Sequence, residues 1–348
     1  MFALFLVSVV AEERRPVRWG ILGTGSIASD FGRVLTSMRG DAEVVAVGSR
    51  SGDRAAAFAA ELGLVGACAH GSYEALVADP AVDVVYVATP STRHVSDSLL
   101  CLRAGKAVLC EKSMAPTAAE AAEVLALARE RGLFFLHGVW SRFFPAMRAL
   151  RELLSSGAIG DVTSAHVSFC QNDGAGSCSA LAETGVYCAQ FLSWVFGGEE
   201  AAVVGAVTER DRGSGHDTHV AATLRFAGGG VGSFECSLRH ASPREAVICG
   251  SRGVVRVPYP FWCPTQLLVQ PMGGAASQAF GPESETNFPL PDGPRGPFHF
   301  VHSEGLAYEA AAVHAALRAG RLEAAEFGSE ECLRVMKLLD AVARFGAR

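Results

Sequence analysis

From Val17 onward, two hydrophobic patterns alternate regularly along the chain. Short runs rich in β-branched residues alternate with longer runs of helical periodicity, as in VRWGIL before IASDFGRVLTSM and EVVAVGS before DRAAAFAAELG. Strands that are apolar throughout, with a helix between each pair, are typical of a parallel sheet covered by helices on both faces. We therefore predict a doubly wound α/β domain in the N-terminal part of the chain.

The pattern changes after about residue 140. One helical run, PAMRALRELLSSG, is followed by alternating strands such as THVAATLRFAGG and GVGSFECSLRH, several of them joined by Gly-rich turns. Strands without intervening helices predict an open, mainly antiparallel sheet, and residues 272–303 are expected to form a long loop. We divide the chain of 348 residues into an extension (1–16), a parallel-sheet domain (17–137) and an α+β domain (138–348).

Charge and cysteine usage limit the classes of partner. The net charge is −6 and no Lys/Arg-rich run occurs, so we expect neither nucleic acid nor a membrane surface as a partner. The ten cysteines include no CxxC pair and no spacing typical of zinc ligands, and we predict no metal site. Most lie in apolar runs, which predicts buried reduced thiols and favours a cytoplasmic location.

The apolar segment at the N-terminus allows two interpretations. Its run from Phe2 to Ala11 is too short to span a bilayer, and it lacks the basic residues that normally precede the core of a signal peptide. We expect a loosely held extension, with a cleaved signal as the alternative.

A glycine-rich turn, GTGSIA at residues 23–28, follows the first strand and opens the first helix. In a dinucleotide fingerprint the first glycine permits the tight turn, the second lets the backbone approach a pyrophosphate, and the helix N-terminus faces the anion. This context predicts a Rossmann domain that binds a nucleotide cofactor. The alternative is a plain Gly-rich turn. The predicted contacts are Gly23, Thr24, Gly25, Ser26 and Ile27.

The end of the second strand indicates which cofactor is used. NAD-selective sites often carry an acid at this point, which would repel a 2'-phosphate, whereas this chain has Ser49 and Arg50. We therefore predict NADP rather than NAD, with a solvated surface arginine as the alternative interpretation of Arg50.

Two later strands end in polar residues that should border the same cleft, because ligands of doubly wound sheets lie outside the carboxyl ends of the strands. One ends at Thr89 and Pro90, with His94 beyond them, and the next at Glu111 and Lys112. A partly buried lysine beside a nicotinamide could exchange a proton with a substrate hydroxyl, with Glu111 to orient it. A structural Lys/Glu pair is the alternative, and His94 could contact a ligand or cap a helix.

Together these motifs resemble the Gfo/Idh/MocA oxidoreductase family, and within it the dimeric dihydrodiol dehydrogenases. The resemblance rests on RWGILGTGSIASDF, VATPSTRH, CLRAGKAVLCEK, WSRFFPAMRALRELL, GVYCAQFLSWVFGG and GLAYEAAAVHAAL. It implies a homodimer that pairs through the C-terminal sheet. It also implies NADP-dependent oxidation of trans-1,2-dihydrobenzene-1,2-diol to catechol and of D-xylose to D-xylono-1,5-lactone.

The resemblance also implies roles for individual residues. Lys112 matches the family's active-site lysine, His94 matches its histidine, and Tyr187 matches the tyrosine that is the usual acid/base candidate. From the sequence itself, Glu183 precedes Tyr187 by four residues on a helix, so the two side chains could share a site. A buried core aromatic is the alternative for Tyr187.

Several positions depart from the family pattern. Ser113 replaces a proline after the lysine and should loosen that loop modestly. Glu183 replaces an aspartate, His137 a glutamate, and the 170–184 segment is short. These changes surround one site and lead to two hypotheses. One is an NADP-dependent dehydrogenase of a diol or aldose, and the other is an NADP-binding paralogue with weak or no catalysis.

Overall fold

The computed structural model of the protein describes residues 15–273, 279–293 and 296–346. The predicted N-terminal extension falls outside these ranges except for its last two residues. Within the described ranges, every helix is too short or too polar to span a bilayer.

The N-terminal part contains a six-stranded sheet in which all neighbouring strands run parallel, in the order β3-β2-β1-β4-β5-β6. This confirms the predicted doubly wound sheet, although the three-residue edge strand β3 was not predicted because it has no apolar run. Its strands are β1 (Val17–Leu22), β2 (Ala42–Gly48), β3 (Cys68–His70), β4 (Val84–Val87), β5 (Ala107–Glu111) and β6 (Phe135–Gly138). Its helices are α1 (Ser26–Ser37), α2 (Gly52–Glu61), α3 (Tyr73–Ala78), α4 (His94–Arg103) and α5 (Ala118–Arg131).

A second sheet of eight strands follows, in the order β14-β13-β12-β11-β7-β10-β9-β8. Of the neighbouring strands in this sheet, only β7 and β10 run parallel, so the predicted open and mainly antiparallel sheet is confirmed. Its strands are β7 (Val162–Cys170), β8 (Ala201–Arg210), β9 (Asp217–Phe226), β10 (Val231–Ser237), β11 (Ala246–Gly250), β12 (Gly253–Val257), β13 (Gln266–Pro271) and β14 (Ser284–Asn287).

Two details of this sheet differ from the sequence-based prediction. The run EAVICGSRGVVRVP forms the hairpin of β11 and β12 rather than one strand, because residues 251 and 252 turn the chain between them. Strand β14 lies inside the predicted long loop and pairs with β13. All four of its residues are exposed, so no hydrophobic alternation marks it.

Helices of the C-terminal part cover one face of the second sheet and join it to the first domain. Helices α7 and α9 pack against the sheet, whereas α8 packs against α1. In that contact the indole Nε1 of Trp19, in β1, donates a hydrogen bond to Nε2 of His314, in α8, over 3.0 Å. This contact joins the first sheet to the C-terminal part of the chain. These helices are α6 (Pro145–Ser155), α7 (Val186–Val195), α8 (Leu306–Arg318) and α9 (Ser329–Phe345).

Candidate active site

The glycine-rich turn has the backbone that its sequence requires. Gly23 has φ +111°, and a Cβ at this position would collide with the carbonyl oxygen of Ala88. Its N–H donates to the carbonyl of Gly48 over 2.9 Å, which ties the turn to the end of β2. Glycine is therefore required here for both conformation and space.

The turn fits the pyrophosphate of a dinucleotide. Helix α1 begins at Ser26, and no side chain caps its first turn, so its free N–H groups can bind an anion. A Cβ at Gly25 would meet no protein atom within 4 Å, which leaves room for a close ligand. Thr24 and Ser26 flank this open space, and Ile27 lines the cavity described below.

The end of β2 carries basic residues beside this turn. Ser49 is buried and its N–H donates to the carbonyl of His70 over 3.1 Å, whereas Arg50 is exposed. In the first turn of α2, Arg54 reaches to 3.5 Å from the hydroxyl of Thr24. Sequence reasoning missed Arg54, although its place just beyond the second strand is a usable signal.

The end of β4 is held to the loop after β5 through His94. Its buried ring contacts two backbone carbonyl oxygens, Nδ1 that of Ser113 and Nε2 that of Thr89, both at 2.8 Å. The Thr89 hydroxyl donates to Asp97 over 2.8 Å, and Pro90 is exposed beside it. Because both ring nitrogens of His94 are occupied, this arrangement suits a residue that positions the loop.

Lys112 projects into the space between the two sheets and meets Glu183. Its Nζ donates to the Glu183 carboxylate and lies 3.3 Å from the Glu183 carbonyl oxygen. The positive charge of Lys112 lowers the pKa of the Glu183 carboxyl. An ammonium and a carboxylate therefore face each other at this point.

The expected partner of Lys112, Glu111, does not contact its ammonium. The carboxylate of Glu111 accepts a 2.6 Å hydrogen bond from the Tyr86 hydroxyl and a 3.1 Å bond from the backbone N–H of Lys112. Consecutive residues of an extended chain point to opposite sides, which separates the two side chains. Burial raises the pKa of Glu111. Orientation of the Lys112 side chain thus comes from Glu183, on a different element.

Tyr187 lies in the first turn of α7, directly after the π-helical turn Leu181–Gly185. Its hydroxyl oxygen accepts a 2.8 Å hydrogen bond from the indole of Trp140, which leaves its own O–H free to donate. Its ring centroid is 5.8 Å from Nζ of Lys112. Burial and the nearby charge of Glu111 raise the phenol pKa well above its ordinary value, so the hydroxyl is protonated at neutral pH.

These groups face one cavity of about 430 Å³. It extends from Ile27 at the glycine-rich turn to aromatic residues of the second sheet, where the rings of Phe169 and Trp262 stack at 4.0 Å. The predicted residues that line it are Ile27, Thr89, His94, Glu111, Lys112, Glu183 and Tyr187. One space thus borders the cofactor turn, the ion pair and a largely aromatic wall.

The departures from the family pattern lie in and behind this cavity. Gln171 and Asp173, in the short 170–184 segment, line it. The Ser113 hydroxyl donates to the carbonyl of Ala115 over 3.3 Å. His137 lies in the core behind the loop, where its Nε2 accepts a 3.2 Å bond from the N–H of Met114 and burial lowers its pKa to about 3. It is therefore neutral.

Several lining residues were not predicted as site residues. Trp140 follows β6 by two residues, so the rule that ligands lie at strand carboxyl ends could have found it. Phe169, Arg244 and Trp262 carry no comparable local signal. They lie in or beside strands of the second sheet, and only tertiary packing brings them to the cavity.

Each part of the chain matches a family of known proteins. Residues 17–139 match the Gfo/Idh/MocA oxidoreductase family, described as having an NAD-binding Rossmann fold. Residues 147–256 match the Gfo/Idh/MocA C-terminal domain. The bovine trans-1,2-dihydrobenzene-1,2-diol dehydrogenase is 40% identical over 316 residues, which cover 88% of this chain and 90% of the bovine protein. The human enzyme of the same name is 38% identical over 337 residues, covering 94% of this chain and 96% of its own.

A solved structure agrees with these matches. A 3-ketoreductase from Actinomadura kijaniata, in complex with NADP and TDP-benzene, has a TM-score of 0.81 and 26% identity. The similarity covers 95% of this chain and 98% of the ketoreductase. The predicted resemblance is thereby confirmed, and the chain belongs to the Gfo/Idh/MocA family of oxidoreductases.

Proposed function

We propose that this protein is an NADP-dependent dehydrogenase that oxidises trans-1,2-dihydrobenzene-1,2-diol to catechol and D-xylose to D-xylono-1,5-lactone. One observation carries the proposal. The ammonium of Lys112, the carboxylate of Glu183 and the phenol of Tyr187 line a single cavity that also reaches the glycine-rich turn. The identity of 38–40% to trans-1,2-dihydrobenzene-1,2-diol dehydrogenases supports the diol as a substrate, whereas D-xylose rests on the family resemblance of the motifs alone.

NADP is the cofactor that the basic end of β2 favours. No acid occupies residues 48–50, and the exposed guanidinium groups of Arg50 and Arg54 can pair with a 2'-phosphate. The backbone of Gly23, Thr24, Gly25 and Ser26 would hold the pyrophosphate. Ser49, Thr89 and Pro90 would border the rest of the cofactor, at the carboxyl ends of β2 and β4.

Bound NADP would supply the acceptor for the hydride of the substrate carbon. The chain itself must then orient the hydroxyl on that carbon and take its proton. We assign the proton to Lys112, whose amine, after releasing its own proton to solvent, would accept the proton of the substrate hydroxyl and hold it as an ammonium against the Glu183 carboxylate. Tyr187, protonated at neutral pH, donates a hydrogen bond to the substrate oxygen. Glu111 and His94 position the loop that carries Lys112, through hydrogen bonds to the backbone of Lys112 and Ser113.

A homodimer formed through the open face of the second sheet is part of the proposal. Helices α7 and α9 cover one face, whereas Val204 and Val207 on β8 are 56% and 66% exposed. Small residues such as Ala221 and Ser233 line the same open face, which suits close packing of a second sheet. Light scattering should give twice the mass of one chain, and a monomeric mass would contradict the dimer.

We also propose a cytoplasmic location. All ten cysteines are unpaired, and seven of them are buried, as predicted for reduced thiols. Unpaired cysteines in this number support a reducing compartment. Fractionation of cells that express the tagged protein would test this, and recovery from a secretory compartment would contradict it.

The activity is tested by following NADP reduction with each of the two substrates, and with NAD in place of NADP. The proposal predicts turnover of both substrates with a clear preference for NADP. A binding protein without catalysis would instead bind NADPH, seen as a change in its fluorescence, and reduce no NADP with either substrate.

A further inference from the structure

Arg244 is a charged residue of the cavity that the proposed chemistry does not use. It lies between β10 and β11 and lines the same cavity as Lys112. Its φ is +55°, one of only two positive values at non-glycine positions among the residues that the structure describes. Such conformations persist only where the surroundings fix them, and they cluster at functional sites.

The backbone of Arg244 is fixed by its neighbours. Its N–H donates to the Ser242 hydroxyl over 3.3 Å, and its carbonyl accepts from the N–H of Phe261 over 3.4 Å. The second bond ties this loop to the segment that carries Trp262. The strained residue is therefore part of the cavity wall.

The guanidinium of Arg244 packs on aromatic rings of that wall. Its Cζ lies 4.5 Å from the ring centroid of Tyr259 and 5.8 Å from that of Trp262. These contacts orient the guanidinium plane and partly remove it from water. An oriented and partly desolvated guanidinium is well suited to bind an anion.

No such anion comes from the part of the chain that is described. Lys112 is paired with Glu183, but Arg244 forms no ion pair within residues 15–273, 279–293 and 296–346. Its Nε is buried and has no hydrogen-bond partner there. The terminal nitrogens of Arg244 are not among the buried atoms and also have no partner in the described residues, so they are the donors that a ligand oxygen can reach.

We infer that Arg244 binds an anionic group on the substrate, remote from the carbon that is oxidised, and so makes sugar acids preferred over neutral sugars. The inference rests on the proposed function for the reacting end of the cavity and adds the chemistry of its other end. A carboxylate can accept two parallel hydrogen bonds from the guanidinium. A pyranose with a carboxylate on C5, such as D-glucuronate, carries that group separated from C1 by the ring oxygen and C5.

The test compares sugars that differ at one substituent. D-Glucose and D-glucuronate differ only by CH₂OH and a carboxylate at C6, and D-xylose lacks this carbon. The expected ratio of kcat/KM for D-glucuronate over D-glucose is well above one. It should fall by roughly 10- to 100-fold in Arg244→Gln and stay closer to the starting value in Arg244→Lys. The same comparison of kcat/KM with D-glucose 6-phosphate tests whether Arg244 binds a phosphate as well as a carboxylate.

This ratio compares two substrates of the same variant, so a general loss of stability does not change it. Arg239→Gln is a matched control, because Arg239 lies in the same loop but pairs with Glu209 at the surface. An unchanged ratio in Arg244→Gln would overturn the inference, as would a wild-type enzyme that oxidises D-xylose but does not favour D-glucuronate.

A binding measurement separates this inference from the proposed activity. D-Glucuronate should raise the melting temperature of the NADPH complex more than D-glucose does, and Arg244→Gln should abolish the difference. If no sugar is oxidised but this difference is present, the proposed activity fails and the anion site stands. If D-xylose is oxidised and the difference is absent, only the anion site fails.

Discussion

Lys112 and Glu183 lie 71 residues apart in the chain and form an ion pair in the wall of the cavity. The strand-end rule predicted Lys112, and a helical spacing predicted that Glu183 and Tyr187 share a site. The contact between Lys112 and Glu183 could not be predicted in the same way, because it joins two domains. The sequence favoured the adjacent Glu111 as the partner, and strand geometry turns that residue away.

The basic residues near the end of β2 should matter for NADPH and not for NADH. Replacing Arg50 and Arg54 by alanine should weaken NADPH binding by roughly 10-fold or more, because charge-assisted bonds to the 2'-phosphate are lost. NADH binding should change little, since NADH lacks that phosphate. Fluorescence titration with both nucleotides measures this. Equal losses for NADPH and NADH would contradict a role in phosphate recognition.

The helices and strands with strong hydrophobic patterns were predicted well, and those without them were missed. Strand β14 has four exposed residues, and β3 has three residues with no apolar run, so neither gives a period that can be recognised. Sheet pairing with β13 and β2 defines them instead. The turn before α1 was predictable because glycine chemistry alone specifies it.

Two glycines of that turn allow a matched pair of variants. Gly23→Ala should lower the melting temperature without any cofactor, because the positive φ and the Ala88 carbonyl oppose a Cβ; the strain is about 1–3 kcal/mol. Gly25→Ala should leave that temperature nearly unchanged but weaken NADPH binding, since its Cβ fills the space kept for the pyrophosphate. Unchanged NADPH affinity in Gly25→Ala would contradict the assigned pyrophosphate site.

Helix α8 packs against the parallel-sheet domain through buried contacts that include His314. This histidine was not predicted to be important, because a single histidine in a helix gives no sign of its partner. Trp19 donates to its Nε2, which requires that nitrogen to be unprotonated. His137 is also neutral, because burial opposes its charge.

Stability should therefore fall on mild acidification. Burial lowers the pKa of His137 from 6.5 to about 3 and that of His314 from 6.5 to about 4. Below about pH 6.5 the unfolded chain binds protons that the folded chain excludes, so the free energy of unfolding decreases as pH falls. The loss is about 2 kcal/mol per histidine between ~pH 6.5 and ~pH 5.

Urea unfolding at these two pH values measures this loss of stability. In His314→Gln only His137 still contributes, so the loss from the two histidines should fall by about half. An identical pH dependence in wild type and His314→Gln would show that this histidine is not held neutral in the folded protein.

The proton-transfer role of Lys112 is tested by the rate of NADP reduction in Lys112→Met. Removing the group that handles the proton should lower kcat by at least ~100-fold, while NADPH binding, followed by fluorescence, stays measurable. Lys112→Met/Glu183→Gln avoids leaving an unpaired carboxylate, and Lys337→Met makes the same change at an exposed position of α9. We predict loss of turnover in both Lys112 variants and normal turnover in Lys337→Met. Turnover of D-xylose at the wild-type rate by Lys112→Met would contradict the account.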